Sequence, residues 1–215
     1  SVMISMTLGV TIVGYYANYM LIYSVGSVLV LLPMAQMGAS IGNLIVTSDK
    51  TQAYHIFKRI FFGYFILLGL VPGGMFILTE SFMSNVWLSK EIAADPNYLL
   101  PWYIFFTIIA CFYVRFSREP IAAYKEATKL FQVDWPFSIA KVLINVVVSL
   151  GLGIPLRNAY GWEMGLLGIV LGTIACLLLT SIWDEPYYVY KRYFGVSLWP
   201  YIWHYLLYTL VNAAA

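Results

Sequence analysis

The chain has 215 residues, 61% of them hydrophobic and only 10% charged, whereas a soluble domain is roughly 45–50% apolar and about 25% charged. So few charges cannot coat a water-exposed surface of this size, and the mean hydropathy of +0.80 points the same way. A soluble enzyme and a nucleic-acid binder are excluded; the composition is that of a polytopic membrane protein.

A membrane-spanning helix needs about 20 mostly apolar residues. In chain order the sequence predicts a partial span at 1–12 and a charge-free run at 14–46. Further spans follow at 60–79, 97–114, 136–156, 164–183 and 197–212. Unsatisfied backbone cannot face lipid, so these runs are read as helices in an all-α bundle. The 14–46 run is about 50 Å long at 1.5 Å per residue, more than the hydrocarbon core, and Pro33 within it is the expected bend. The chain opens and stops beside apolar runs and reads as a piece of a longer, transporter-sized protein. Residues 1–195 form its lobe and 196–215 the start of an additional helix.

Ten of the twelve Lys and Arg residues fall in 47–59, 115–141 and 184–195, leaving only Lys90 and Arg157 in the alternate connections. The positive-inside rule therefore places 47–59, 115–135 and 184–195 on the cytoplasmic side. Gly161/Gly165, Gly168/Gly172, Gly38/Gly42 and Gly69/Gly73 repeat the four-residue spacing that lets membrane helices approach closely. Cys111 and Cys176 lie 65 residues apart in apolar runs, which is no metal or redox motif.

There is no phosphate-binding G-x-x-x-x-G-K-[ST] loop, H-E-x-x-H, C-x-x-C or G-x-S-x-G. No enzyme activity, cofactor or metal is expected. His204, between Trp203 and Tyr205, reads as part of an interfacial aromatic belt, and His55 as an interfacial residue in a basic segment. Polar groups at membrane depth are functional candidates by default: Asn18 with Tyr15, Tyr16 and Tyr19, then Asn43, and Asn145 with Ser149. The alternative for each is an interhelical hydrogen bond. The cluster Arg115, Arg118, Glu119, Lys125, Glu126 and Lys129 carries the most information. If Pro120 opens a new helix, Arg118 and Lys125 share one face of it. Guanidinium groups bind phosphate through paired N–H donors; the alternative is a positive-inside anchor on lipid phosphates.

Several strings in register carry a resemblance. VGYYANYMLIYSV, ASIGNLIV and HIFKRIFFGYF are followed by SFMSNVWLSKE, REPIAAYKEATKLFQVDW, LINVVVSLGLG, GLLGIVLGTIACLL and IWDEPYYVYKRYFG. Together they resemble the C-terminal half of bacterial polysaccharide flippases of the Wzx type, within the multidrug/oligosaccharidyl-lipid/polysaccharide exporter superfamily. Ser89 and Lys129 stand where that family usually has Gly. The resemblance covers roughly residues 5–195.

It implies one lobe of a two-lobe, alternating-access transporter whose N-terminal lobe lies outside this chain. The implied activity is movement of undecaprenyl-pyrophosphate-linked oligosaccharide across the bacterial cytoplasmic membrane for cell-surface polysaccharide biosynthesis. The implied partners are the bilayer, the lipid-linked oligosaccharide, the missing lobe and glycan polymerisation machinery. Arg118 and Lys125, then Arg115, would contact the pyrophosphate, with Asn18, Asn43 and Asn145 as cavity or interhelical polar groups. Competing readings are a cation-coupled drug or metabolite exporter, disfavoured because no mid-span carboxylate is evident, a membrane enzyme of glycan assembly, and a structural membrane subunit.

Overall fold

The computed structural model describes residues 2–128 and 131–214, apart from the side chains of 131–137. Among them every regular element is helical: α1 (Val2–Leu8), α2 (Val10–Thr47), α3 (Lys50–Phe82), α4 (Ser89–Ala94), α5 (Trp102–Phe116), α6 (Glu119–Ala127), α7 (Phe131–Tyr160), α8 (Trp162–Leu179), α9 (Ser181–Pro186) and α10 (Trp199–Ala214). Wider π turns extend α3 over Met83–Trp87 and follow α9 over Tyr187–Phe194. Five continuous helical stretches are long and apolar enough to cross a membrane. The protein is an all-α, multi-pass membrane bundle.

The helices differ from the apolar runs mainly at their ends. The first break comes at Gly9, whose φ of 98° suits a residue without a Cβ, and α2 then runs unbroken through Pro33 to Thr47. The expected loop at 47–59 shrinks to Ser48 and Asp49. Asp49 caps α3 by accepting the Gln52 backbone N–H at 3.0 Å, which satisfies one of the free donors of the first turn. Beyond that cap the chain stays helical because Ala53, Phe57 and Phe61 bury one side while Lys50, His55 and Arg59 remain exposed, an amphipathic pattern that extends the helix past the apolar run. At the other end of the bundle Gly161, at φ 94°, turns α7 into α8 in one residue.

The α7–α8 hairpin is the tightest pairing. A Cβ on Gly168 would lie 2.9 Å from the Leu152 carbonyl oxygen, and one on Gly172 would lie 2.5 Å from Ser149 Cα. Small residues there let backbone meet backbone and replace a hydrophobic drive that lipid does not supply. Gly38, Gly42 and Gly73, by contrast, face open space, so their spacing is not used within this chain.

An aromatic cluster joins the inner halves of α3, α6, the second π turn and α10. Phe57 meets Tyr124, Tyr190 and Phe194, and Phe61 and Phe65 meet Tyr201, Tyr205 and Tyr208. Tilted and edge-on ring contacts add about 0.5–1.5 kcal/mol each beyond burial. Asn212 of α10 donates to the Phe65 carbonyl at 2.9 Å and to the Tyr113 hydroxyl at 3.1 Å. It lies where a Cβ on Gly69 would stand. The additional helix therefore docks on α3 and α5.

The Gly172→Ala substitution is expected to destabilise the purified protein by about 1–3 kcal/mol, the cost of overpacking a close contact. Gly73→Ala, into open space, should be neutral or slightly stabilising. Thermal unfolding of both variants in the same detergent checks the contrast.

Candidate functional site

The break between α5 and α6 sets the site. Pro120 occupies the first turn of α6, where its missing N–H costs nothing, and Ser117–Arg118 separate the helices. Arg118 and Lys125 then point the same way, as their spacing predicts. The structure gives both a protein partner: the Arg118 guanidinium pairs with the Glu185 carboxylate of α9, and Lys125 Nζ lies 3.8 Å from it. Lys141 of α7 adds a third cation, 2.8 Å from Asp184 and 3.9 Å from Glu185. The Glu185 and Lys125 side chains are only 6% and 8% exposed. Lys129 lies outside the described residues.

Glu185 is the residue that sequence reasoning missed. Its signal was an Asp-Glu-Pro triplet at the inner end of an apolar run, on the same side as the basic cluster. Buried charges are tolerable only when paired, and breaking such a pair is costly because the survivor stays buried.

Arg115, one turn before the break, is placed differently. It is exposed and lines a cavity of about 530 Å³ among α1, α2, α5 and α8, together with Tyr16, Tyr23, Ser27, Glu119 and Thr173. Along α2 the lining runs from Tyr16 to Leu31, fifteen residues or about 22 Å. A second cavity of about 450 Å³, between α2 and α6, shares Leu31 and Glu119 and ends at Glu126. The two adjoin at these shared residues and are together called the trough. Among the described residues, neither the Arg115 nor the Glu119 side chain has a hydrogen bond or ion pair.

The three asparagines do not join this trough. Asn18 donates to the Gly14 carbonyl at 3.1 Å and accepts from Trp87 Nε1 at 3.3 Å, an interhelical contact beside a separate apolar pocket of about 300 Å³. Asn43 is exposed near the end of α2. Asn145 is half-buried on α7, four residues from Lys141 and four from the buried Ser149, on the face that meets α8.

Tyrosines close the opposite end of the bundle. Tyr15 donates to Asp95, the Leu100 N–H donates to Tyr19 at 2.9 Å, and Tyr103 donates to Glu163 at 2.6 Å. The Tyr15 hydroxyl, followed by the Asn97 backbone N–H, holds the Asp95 carboxyl below the usual carboxylate range. A depressed folded-state value means that the clasp contributes stability above the ordinary Asp value of about 4 and loses it as pH falls through the lowered one.

Two outcomes follow from these partners. Glu185→Ala should destabilise the fold by about 3–5 kcal/mol, seen as lost membrane abundance and a lower Tm, since it removes the carboxylate paired with the Arg118 guanidinium at a buried site. Arg115→Ala should leave both unchanged. Acidification should lower the amide protection factors of Asn97 and Leu100, each measured rate being compared with the intrinsic rate at the same pH, and Tyr15→Phe should show that lowered protection already at neutral pH.

In comparisons with protein-family models, curated proteins and solved structures, nothing matches this chain.

Proposed function

We propose that the chain is one lobe of an exporter that moves lipid-linked, undecaprenyl-pyrophosphate oligosaccharide from the cytoplasmic to the outer leaflet of a bacterial membrane for cell-surface polysaccharide biosynthesis. The observation that carries this reading is the trough: a long, mostly apolar concavity among apolar spans that holds an arginine with no side-chain hydrogen bond or ion pair among the described residues. Polar and charged groups at membrane depth are expensive unless they face water or a ligand. A guanidinium outside any ion pair among the described residues suits a phosphate-bearing head group. The register of sequence strings resembling polysaccharide flippases supports the same reading.

In this proposal Arg115 is the anion contact, while Arg118 and Lys125 brace the inner end through Glu185. A lobe of this kind works against a second one, as alternating access requires. A second reading, export of organic cations, is favoured by one specific observation: Glu119 and Glu126 line the trough between α2 and α6.

The test uses cells lacking the full-length gene, restored with wild type or Arg115→Ala. Lipid-linked oligosaccharide should accumulate on the cytoplasmic face in the deletion strain and reach the outer leaflet with the wild type. Arg115→Ala should cut export about tenfold or more, the worth of a charged hydrogen bond, at unchanged membrane abundance. An unaltered leaflet distribution in the deletion strain, combined with reduced efflux of cationic dyes, would replace this reading with the second.

A further inference from the structure

The first cavity of the trough holds two charges of opposite sign with no ion pair of their own among the described residues. Arg115 closes α5 and Glu119 opens α6, and both line the same cavity. They are near enough to interact electrostatically, without an ion pair or hydrogen bond among the described residues. Empty, the pair is balanced. Once an anion is seated on Arg115, the Glu119 carboxylate faces a like charge at close range in a setting of reduced dielectric, where such pairs are strongly disfavoured.

We propose that the trough takes up a phosphate-class anion at Arg115 and a proton at Glu119 as one linked event. This rests on the reading of Arg115 as the anion contact. The proton bonds to a Glu119 carboxylate oxygen, the anion is held by the guanidinium N–H groups, and no bond in the ligand breaks.

The groups around Glu119 leave it as the site of protonation. It lines the cavity together with Tyr16 and Tyr23 of α2 and Cys111 and Arg115 of α5, and Tyr64 of α3 lies within its electrostatic reach. The hydroxyls and the thiol are neutral near pH 7, so they have no proton to gain. Arg118 and Glu185 also act on Glu119, with opposite signs, and are paired with each other. Glu126 is exposed at the far end of the second cavity. The parts of α1 and α8 that line the trough carry no titratable side chain. Linkage is reciprocal, so a proton that favours the anion must itself be favoured by it.

The experiment is calorimetric titration of the full chain in phosphatidylcholine nanodiscs with UDP-glucose. Its pyrophosphate is esterified at both ends and so lacks the second phosphate ionisation near pH 6. Titrations between about pH 5.5 and 8, in buffers of different ionisation enthalpy, count the protons taken up. Wild-type affinity should weaken by up to about tenfold per pH unit as pH rises, with close to one proton bound per ligand at the upper end. Glu119→Gln should bind with flat pH dependence and no proton uptake, and more tightly than wild type at the highest pH. Glu126→Gln should keep the wild-type slope, and Arg115→Gln should abolish binding.

Arg115-dependent binding with no pH slope and no proton uptake would overturn the linkage while leaving the anion site standing. Absence of wild-type binding at every pH, or binding indifferent to Arg115→Gln, would overturn the anion reading and the linkage with it. Displacement of UDP-glucose by phosphatidylglycerol in the nanodisc would assign the anion to a bilayer head group instead of a carried substrate, overturning the transport role of the site.

Discussion

A single buried carboxylate organises one end of this bundle. Glu185 sits at the close of α9 and receives Arg118 from the α5–α6 break, with Lys125 of α6 and Lys141 of α7 close by. Three segments distant in sequence, the α5–α6 break with α6, α7 and α9, are thereby fixed to one another. Such pairs add little stability over a well-packed apolar substitute, yet they are costly to break. Their effect here is positional: α6 is held across the inner mouth, with Glu119 and Arg115 turned toward α2.

The chemistry of the trough follows from that pairing. Three basic side chains cluster near the break, and Glu185 occupies Arg118 and braces Lys125, leaving Arg115 as the guanidinium presented to the cavity. The division separates cations that build the scaffold from one placed to meet a ligand. At the opposite end tyrosines engage Asp95, Leu100 and Glu163, so the trough lies between two sets of polar contacts. The α7–α8 hairpin, zipped by Gly165, Gly168 and Gly172, supplies the wall behind Thr173.

Much of the fold was legible because a bilayer imposes a length: each long apolar run became a helix, and Pro120 opened α6 as its fixed φ favours. The helix ends were less legible. Residues 50–59 read as a loop from their charges, but Phe57 and Phe61 bury one face and keep the segment helical. The break at Gly9 depended on a backbone angle that composition does not reveal. At the site, the shared face of Arg118 and Lys125 could be read from spacing. Their partner could not, because Glu185 lies 60 or more residues away and such pairing is a property of the packed bundle. Glu119 could be placed at the end of a span by its number, but not against the cavity, because the packing of α6 on α2 is what turns it there.

The central claim is that one face of α2 lines a polar, water-accessible path while the adjoining face meets lipid. Single cysteines at Ser27 and Val28, in a background with Cys111→Ser and Cys176→Ser, test it most directly. Ser27 lines the trough, whereas Val28 is 59% exposed on the outside of the bundle. A hydrophilic thiol reagent should label the cysteine at 27 in membranes and leave the one at 28 unlabelled. Equal protection of both positions, or labelling at 28 alone, would contradict the account.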